Sequence, residues 1–377
     1  MLSFRTTGYN GYGVKYSPFY DNKLAVATAA NYGLVGNGRL YILSINNDGS
    51  ISSDTHYDTQ DGLFDIAWSE THENQCVAAS GDGSIKLFDV QVGQFPVMNW
   101  HEHQREVFSV NWNMVDKTNF VSASWDGSIK IWLPNRQQSL LTLSPEVDYT
   151  TMASPVAATA KGPAVPLSNK TTTNTTQTCI YQAVFSPHSP SVVVSAHANS
   201  HVMIWDLRAP HPLQLDYVAH GGLETLTIDW NKYRSAVIAS SGVDKSVKVW
   251  DTRMIESVQP SASAPMPSFH NASPAPLNQF MGHEFAVRRI SWSPHDGASL
   301  LSCSYDMSCR VWQDHMDDKA RFLGARRMGP LQCTGVFGNH REFVIGCDWS
   351  MWGEPGWCVS TGWDEMVYVW DTPNKQA

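Results

Sequence analysis

Apolar and polar residues alternate over short segments of this chain, and the segments recur in groups of three. In one group, residues 107–112 alternate, residues 120–124 follow, and residues 128–132 alternate again. Alternation over four to eight residues predicts strands that are buried on one side. The Asp126-Gly127 pair between the last two segments is typical of a tight hairpin turn. The pattern therefore predicts small antiparallel sheets.

Six successive groups repeat the same landmarks at fixed spacing. An aromatic residue is followed by a second aromatic 20 residues later, or 21 residues later in the last group. An acid or asparagine stands six positions before the second aromatic, and five of the groups carry a serine ten positions before it. The aromatic pairs are Trp68 with Phe88, Trp112 with Trp132, Phe185 with Trp205, Trp230 with Trp250, Trp292 with Trp312, and Trp349 with Trp370. This recurrence indicates a repeat architecture whose units stack on one another.

Four groups also carry a histidine ahead of their first strand and so form complete sets. The sets are His103, Ser122, Asp126 and Trp132; His220, Ser240, Asp244 and Trp250; His283, Ser302, Asp306 and Trp312; and His340, Ser360, Asp364 and Trp370. An aspartate that accepts a hydrogen bond from histidine, with histidine bonded to serine and serine to the indole, satisfies polar groups that are costly to leave unpaired inside a sheet. Because the set recurs from unit to unit, we interpret it as scaffold rather than as a catalytic relay.

These features resemble the WD-repeat β-propeller family. A degenerate unit without the aspartate and tryptophan landmarks opens the chain, with strand patterns at residues 12–17, 24–27 and 39–44. The last unit lacks an outer strand, whereas residues 2–7 have no unit of their own. We therefore predict an all-β, seven-bladed propeller in which residues 2–7 pair in the last blade and close the ring. The repeats make residues 1–377 one domain, with flexible insertions at about 145–178 and 256–276.

Composition excludes several classes of function. The net charge of −9 argues against a nucleic-acid binder and suits a cationic peptide partner. Seven cysteines without a Cys-x-x-Cys pair indicate reduced intracellular thiols rather than a zinc site. The chain has no signal segment at its start and no apolar run of 18 residues, so we expect no membrane insertion. It also lacks a phosphate-binding loop and a nucleophile elbow, so we expect neither enzyme activity nor a cofactor.

Residues outside the repeat landmarks carry a closer resemblance. The chain is similar to the cytosolic receptors for the type-2 peroxisomal targeting signal at residues 11–19, 33–38, 64–70, 103–112, 124–132, 227–233, 287–295, 304–312, 343–349 and 362–365. The resemblance implies a non-enzymatic import receptor that binds an N-terminal Arg-Leu-x5-His-Leu signal on folded enzymes such as thiolase. It further implies a co-receptor, a docking complex at the peroxisomal membrane, and movement between the cytoplasm and the peroxisome.

The signal itself predicts what the receptor must offer. Signal positions 1, 2, 8 and 9 lie on one face of a helix, so the partner surface needs carboxylates beside apolar or aromatic groups. In a propeller, residues around the start of each innermost strand, and the residue before the turn aspartate, cluster at one end of the channel. The predicted binding rim comprises Asp61, Phe64, Glu106, Phe108, Trp125, Glu224, Leu226, Arg288, Tyr305, Phe343 and Trp363.

Structural roles are the alternative for the aromatic members of this rim. Phe64 and Phe108 would then plug the channel, and Trp125 and Trp363 would pack the blades. Glu106 and Glu224 are the stronger candidates for binding, because the sequence gives a carboxylate there no evident role between blades.

A second function from another class stays open. Residues 205–208 and 250–253 both read Trp-Asp-x-Arg and stand on consecutive predicted blades. Paired boxes of this kind resemble those of propeller substrate receptors for cullin-RING ubiquitin ligases. Arginine after Trp-Asp is also common in WD-repeats without that function, so the boxes favour neither reading strongly by themselves.

Overall fold

The fold is described by a computed structural model that covers residues 1–145, 178–255, 274–315 and 332–372. Within these ranges the chain forms seven antiparallel sheets of four strands each, so the predicted seven-bladed, all-β propeller is confirmed. The predicted insertions lie almost entirely outside the described residues. None of the described segments forms a helix that is long and apolar enough to cross a membrane.

The first strand, β1 (Leu2–Arg5), belongs to the last sheet, and the blades are numbered by their innermost strands. Blade 1 contains β2 (Asn10–Tyr16), β3 (Lys23–Ala29), β4 (Gly38–Ile45) and β5 (Ile51–Thr59). Blade 2 contains β6 (Leu63–Trp68), β7 (Gln75–Ser80), β8 (Ile85–Asp89) and β9 (Met98–Trp100). Blade 3 contains β10 (Val107–Trp112), β11 (Phe120–Ser124), β12 (Ile129–Trp132) and β13 (Leu141–Leu143).

The second half of the ring repeats this order. Blade 4 contains β14 (Ile180–Phe185), β15 (Val192–His197), β16 (His201–Asp206) and β17 (Leu213–Val218). Blade 5 contains β18 (Thr225–Trp230), β19 (Val237–Gly242), β20 (Val247–Asp251) and β21 (Asn278–Phe280). Blade 6 contains β22 (Val287–Trp292), β23 (Ser299–Ser304), β24 (Cys309–Gln313) and β25 (Cys333–Phe337). Blade 7 contains β26 (Val344–Trp349), β27 (Trp357–Gly362) and β28 (Met366–Asp371). Two short 3-10 segments, Asn31–Gly33 and Thr252–Met254, follow β3 and β20.

Strand β1 closes the ring as the fourth strand of blade 7. It pairs antiparallel with β28, with Leu2 opposite Val369 and Phe4 opposite Val367. The innermost strands of neighbouring blades contact one another around the ring, including β2 with β26. Because the chain's first strand covers the outer edge of β28, blade 7 has four strands like the other blades.

Hydrogen-bonded sets join the strands of four blades. In blade 3, His103 Nδ1 lies 2.9 Å from Asp126 Oδ2 and His103 Nε2 lies 2.7 Å from Ser122 Oγ. Trp132 Nε1 donates to Ser122 Oγ at 2.8 Å. The sets based on His283 and His340 are hydrogen-bonded in the same way. In the remaining set, His220 bonds Ser240, and its Nδ1 lies 2.8 Å from Asp244 Oδ2.

Blade 4 builds a similar set from a different position. Its turn residue is Asn199, yet Ser195 still accepts a hydrogen bond from Trp205 Nε1 at 2.9 Å. His197, which lies on the same strand as Ser195, places Nε2 2.7 Å from Ser195 Oγ. The histidine that bonds the serine therefore comes from the second strand of blade 4. In the four complete sets it comes from the segment ahead of the first strand.

Candidate functional site

A β-bulge in every innermost strand turns one residue out of the sheet pairing. The register between each innermost strand and its neighbour skips a single position near the strand's start. The skipped residues are Tyr12, Phe64, Phe108, Tyr181, Leu226, Arg288 and Ile345. A bulge re-aims the side chain that it leaves unpaired. We call the end of the channel at which these residues lie the channel mouth.

Four aromatic rings form a continuous row across the channel mouth. Trp363 and Tyr12 have ring centroids 6.0 Å apart, Tyr12 and Phe64 5.0 Å, and Phe64 and Phe108 4.7 Å. Beyond the end of this ring row, Phe108 stacks on Trp125 at 4.4 Å with an angle of 4° between the planes. Aromatic pairs in this distance range attract one another, and this attraction adds to the stabilisation that comes from their buried apolar area.

Two further rim residues join the other end of the ring row. Phe343 lies 5.3 Å from Trp363, and Tyr305 lies 4.9 Å from Phe343. Phe64 is buried, whereas Phe108, Trp125, Tyr305, Phe343 and Trp363 remain partly accessible. The structure therefore brings all six predicted aromatic residues into one surface.

The predicted acids lie around this surface. Asp61 lies beside Phe64, because a Cβ on Gly81 would meet both side chains. Glu106 precedes β10 and has Oε2 3.6 Å from Arg105 Nε. Glu224 accepts a hydrogen bond from the Tyr181 hydroxyl at 3.1 Å. Glu224 therefore has a contact between blades 4 and 5 that the sequence argument did not foresee.

Leu226 and Arg288 are the deepest of the predicted rim residues. Both are 5% exposed. Arg288 carries its guanidinium carbon 5.5 Å from the centre of the Phe108 ring. Within the described residues its guanidinium makes no hydrogen bond and no ion pair. The Phe108 ring is thus the side-chain contact that the structure shows for this cation.

In five of the seven innermost strands the residue after the bulge is polar, and these side chains form a polar layer below the mouth; glycine stands there in blades 1 and 7. Arg289 Nη2 lies 2.7 Å from Asp65 Oδ1, which joins blades 6 and 2 across the channel. Asp65 also accepts from the Val110 amide at 3.2 Å. Gln182 Oε1 accepts from the Thr227 hydroxyl at 2.8 Å. This polar layer is hydrogen-bonded internally and leaves little for a ligand to bind.

Sequence reasoning missed three tyrosines of the site. Tyr12 and Tyr181 are bulge residues, and Tyr32 lies 5.3 Å from Trp363. Blade 1 lacks the landmarks that aligned the other units, so nothing marked Tyr12. The position of Phe64 and Phe108, second in their strands, is the signal that would have found Tyr181.

Burial fixes the protonation of two of these tyrosines. Burial raises the pKa of Tyr12 well above its ordinary value, with the Arg288 charge opposing it in part. Burial, followed by the Glu224 charge, raises the pKa of Tyr181 in the same direction. Both hydroxyls therefore remain donors, Tyr12 to the Tyr32 carbonyl at 2.6 Å and Tyr181 to Glu224.

The two Trp-Asp-x-Arg boxes lie away from the mouth. Arg208 Nη2 lies 2.9 Å from Asp206, and Arg253 Nη2 lies 2.8 Å from Asp251. Each arginine is thus bound by the aspartate of its own box. Among the described residues, no group of three or more His, Cys, Asp or Glu side chains is placed to hold a metal ion.

Comparisons with known proteins agree with this architecture. The family model described as WD domain, G-beta repeat matches residues 94–132, 214–251 and 274–313. The peroxisomal targeting signal 2 receptor of Komagataella phaffii is 53% identical over 100% of both chains. The protein of the same name from Saccharomyces cerevisiae is 45% identical over 98% of this chain and 99% of its own. Peroxisome biogenesis protein 7 of Arabidopsis thaliana is 36% identical over 96% of this chain and 95% of its own.

These relatives span essentially the whole chain, and the first two are named as receptors. The prediction of a receptor rather than an enzyme is therefore confirmed. The resemblance noted in the sequence is confirmed by the same relatives, which cover the degenerate first blade as well as the repeats. The chain belongs to the family of peroxisomal targeting signal 2 receptors.

Proposed function

We propose that this chain binds the N-terminal type-2 targeting signal of peroxisomal matrix enzymes at its channel mouth. The signal is a helix of the Arg-Leu-x5-His-Leu type, and its cargo includes folded enzymes such as thiolase. With a co-receptor, the loaded receptor moves from the cytoplasm to a docking complex at the peroxisomal membrane. The single observation that carries the proposal is the ring row, which is flanked by carboxylates, in a chain whose full-length relatives are named for this signal.

The chemistry of the mouth matches the chemistry of the signal. Arginine and leucine side chains on one face of a helix need an anion and an apolar surface at the same time. Glu106 and Glu224 supply carboxylates at the Phe108 end of the ring row. Aromatic faces supply the apolar surface, and rings of this kind are enriched among residues that dominate binding energy.

Peptide binding tests the proposal directly. A fluorescently labelled Arg-Leu-x5-His-Leu peptide is titrated with the protein, with and without a candidate co-receptor, and anisotropy is measured. A peptide with its arginine and both leucines changed to serine is the control. We expect binding that requires those three residues. A folded protein that binds neither peptide in either condition would overturn the proposal.

The acids are tested in the same assay. We expect the double substitution Glu106→Ala and Glu224→Ala to weaken peptide binding by more than about ten-fold. Both carboxylates that could form a charge-assisted hydrogen bond with the arginine of the signal are then lost. Tyr181→Phe removes only the hydroxyl that Glu224 binds, so it separates loss of the carboxylate from loss of that internal contact. Glu73→Ala with Glu354→Ala removes two exposed acids from loops outside the mouth and serves as the matched control. Equal affinity for the Glu106/Glu224 variant and this control would remove the acids from the site.

A further inference from the structure

A short loop beside the channel mouth is held in an unusual backbone conformation. Asn31, Tyr32 and Gly33 have φ of 49°, 58° and 68°, so three consecutive residues lie in the left-handed region. Two of them are not glycine, and such residues persist there only when their surroundings hold them. Gly33 has a separate reason to lack a side chain, since a Cβ there would lie 2.6 Å from the Tyr12 hydroxyl.

Two hydrogen bonds hold this loop against blade 1, one bond closes it internally, and one bond connects its Asn10 anchor to blade 7. The Tyr32 amide donates to Asn10 Oδ1 at 2.8 Å, and Asn10 Nδ2 donates to the Trp363 carbonyl at 2.7 Å. The Tyr32 carbonyl accepts from Tyr12, as described above, and Asn31 Nδ2 donates to the Val35 carbonyl at 3.1 Å. The buried Asn10 side chain therefore ties the loop and Trp363 into one preformed wall.

The loop presents apolar side chains to solvent. Leu34 is 85% exposed and Val35 is 73% exposed. Next to them, Tyr32, Leu34, Glu342, Phe343 and Trp363 line a depression in the surface. We call this depression the loop pocket. Within the described residues the Glu342 carboxylate makes no ion pair, so the pocket combines an apolar lining with a free anion at its edge.

The loop pocket lies at the opposite end of the ring row from Glu106 and Glu224. Three ring-to-ring steps of 4.7, 5.0 and 6.0 Å lead from Phe108 to Trp363. Eight residues of α-helix rise about 12 Å, which is the separation between signal positions 1 and 9. A helix whose arginine meets the acids can therefore bring its second leucine to the far end of the row.

We propose that the loop pocket binds the leucine at signal position 9, with Glu342 facing the histidine at position 8. This assignment rests on the proposed function and adds to it the direction in which the signal crosses the mouth. The preformed wall supports it, because a pocket that is ordered before binding loses less entropy when the leucine enters. Tyr32 and Leu34, which line the pocket, thereby become specificity residues outside the predicted rim.

A double-mutant cycle in the anisotropy assay tests the assignment. The protein variant is Leu34→Ser with Val35→Ser, and the peptides carry alanine at position 2 or at position 9. Both protein residues are exposed, so the variant keeps its fold. We expect alanine at position 9 to cost about ten-fold on the wild type and less than two-fold on the variant, because the leucine contact is already lost. Alanine at position 2 should cost the same on both proteins.

The matched control is Val92→Ser with Phe95→Ser, an exposed apolar pair in the connection between β8 and β9. This variant should bind every peptide as the wild type does. Equal costs of the position 9 change on the wild type and the Leu34/Val35 variant would overturn the pocket assignment while leaving the proposed function intact. An effect of the loop variant that appears only when the co-receptor is present would also overturn it and assign the loop to the co-receptor. A wild-type protein that binds no signal peptide overturns the proposed function and the pocket together.

Discussion

Two consecutive layers of the channel differ in whether their charged side chains are paired. Arg288 and Arg289 are neighbours on β22, yet the bulge sends Arg288 to the mouth and leaves Arg289 in the polar layer beneath. Arg289 is bound to Asp65 at 2.7 Å, whereas Arg288 has no acceptor within the described residues. The polar layer therefore stabilises the ring through its internal ion pair. At the mouth, the Arg288 guanidinium stays without a hydrogen-bond acceptor among the described residues.

Breaking the polar layer should have the largest effect on stability. Arg289→Met leaves the Asp65 carboxylate buried without its partner, which costs about 3–5 kcal/mol in comparable buried pairs. Urea unfolding of the wild type and the variant measures this difference. The double variant Asp65→Leu with Arg289→Met removes both charges and should recover most of the loss. A single variant that loses less than about 1 kcal/mol would show that the pair does not hold the ring.

Acid should also lower the free energy of unfolding, because several histidines are buried in the blades. Burial lowers the pKa of His197 to about 3 and also lowers the pKa of His103, His220 and His283. The unfolded chain binds these protons first, near its ordinary histidine pKa of about 6.5. The free energy of unfolding should therefore be unaffected above that pH and fall by up to about 1.4 kcal/mol per pH unit and histidine below it.

Replacing one histidine isolates its share of that slope. His197→Gln should flatten the dependence of the free energy of unfolding on pH between about 6.5 and 4, whatever it costs at neutral pH. The exposed His101 provides the matched control substitution, His101→Gln. An unaltered slope in the His197 variant would contradict the assignment of His197 as a buried neutral group.

The mouth should respond to the same kind of substitution with a small effect of the opposite sign. Arg288→Met removes a buried cation that has no acceptor and should raise the free energy of unfolding by up to about 1 kcal/mol. Loss of its contact with the Phe108 ring reduces this gain. Urea unfolding beside the Arg289 variant makes the comparison. A loss of more than about 2 kcal/mol would show that Arg288 is part of the scaffold after all.

Blade 4 shows which members of a hydrogen-bonded set a local sequence pattern can locate. The landmarks located Ser195 and Trp205 correctly, but this group has no histidine ahead of its first strand and so is not one of the four complete sets. His197 reaches Ser195 from two residues away on the same strand. A hydrogen bond needs only the right distance and angle, so a second position that meets both can replace the first.

The sequence by itself determined the blade count, the hairpins, the four complete sets, the closing strand and the family. Each of these depends on local spacing or on similarity along the chain, which the order of residues records. The tertiary structure alone decided that Tyr12, Tyr32 and Tyr181 join the mouth, that Asp65 meets Arg289 across the channel, and that Tyr181 binds Glu224. These contacts depend on the curvature of the ring and on which side chain each bulge re-aims toward which neighbour across the channel, and local spacing does not record such distant pairs.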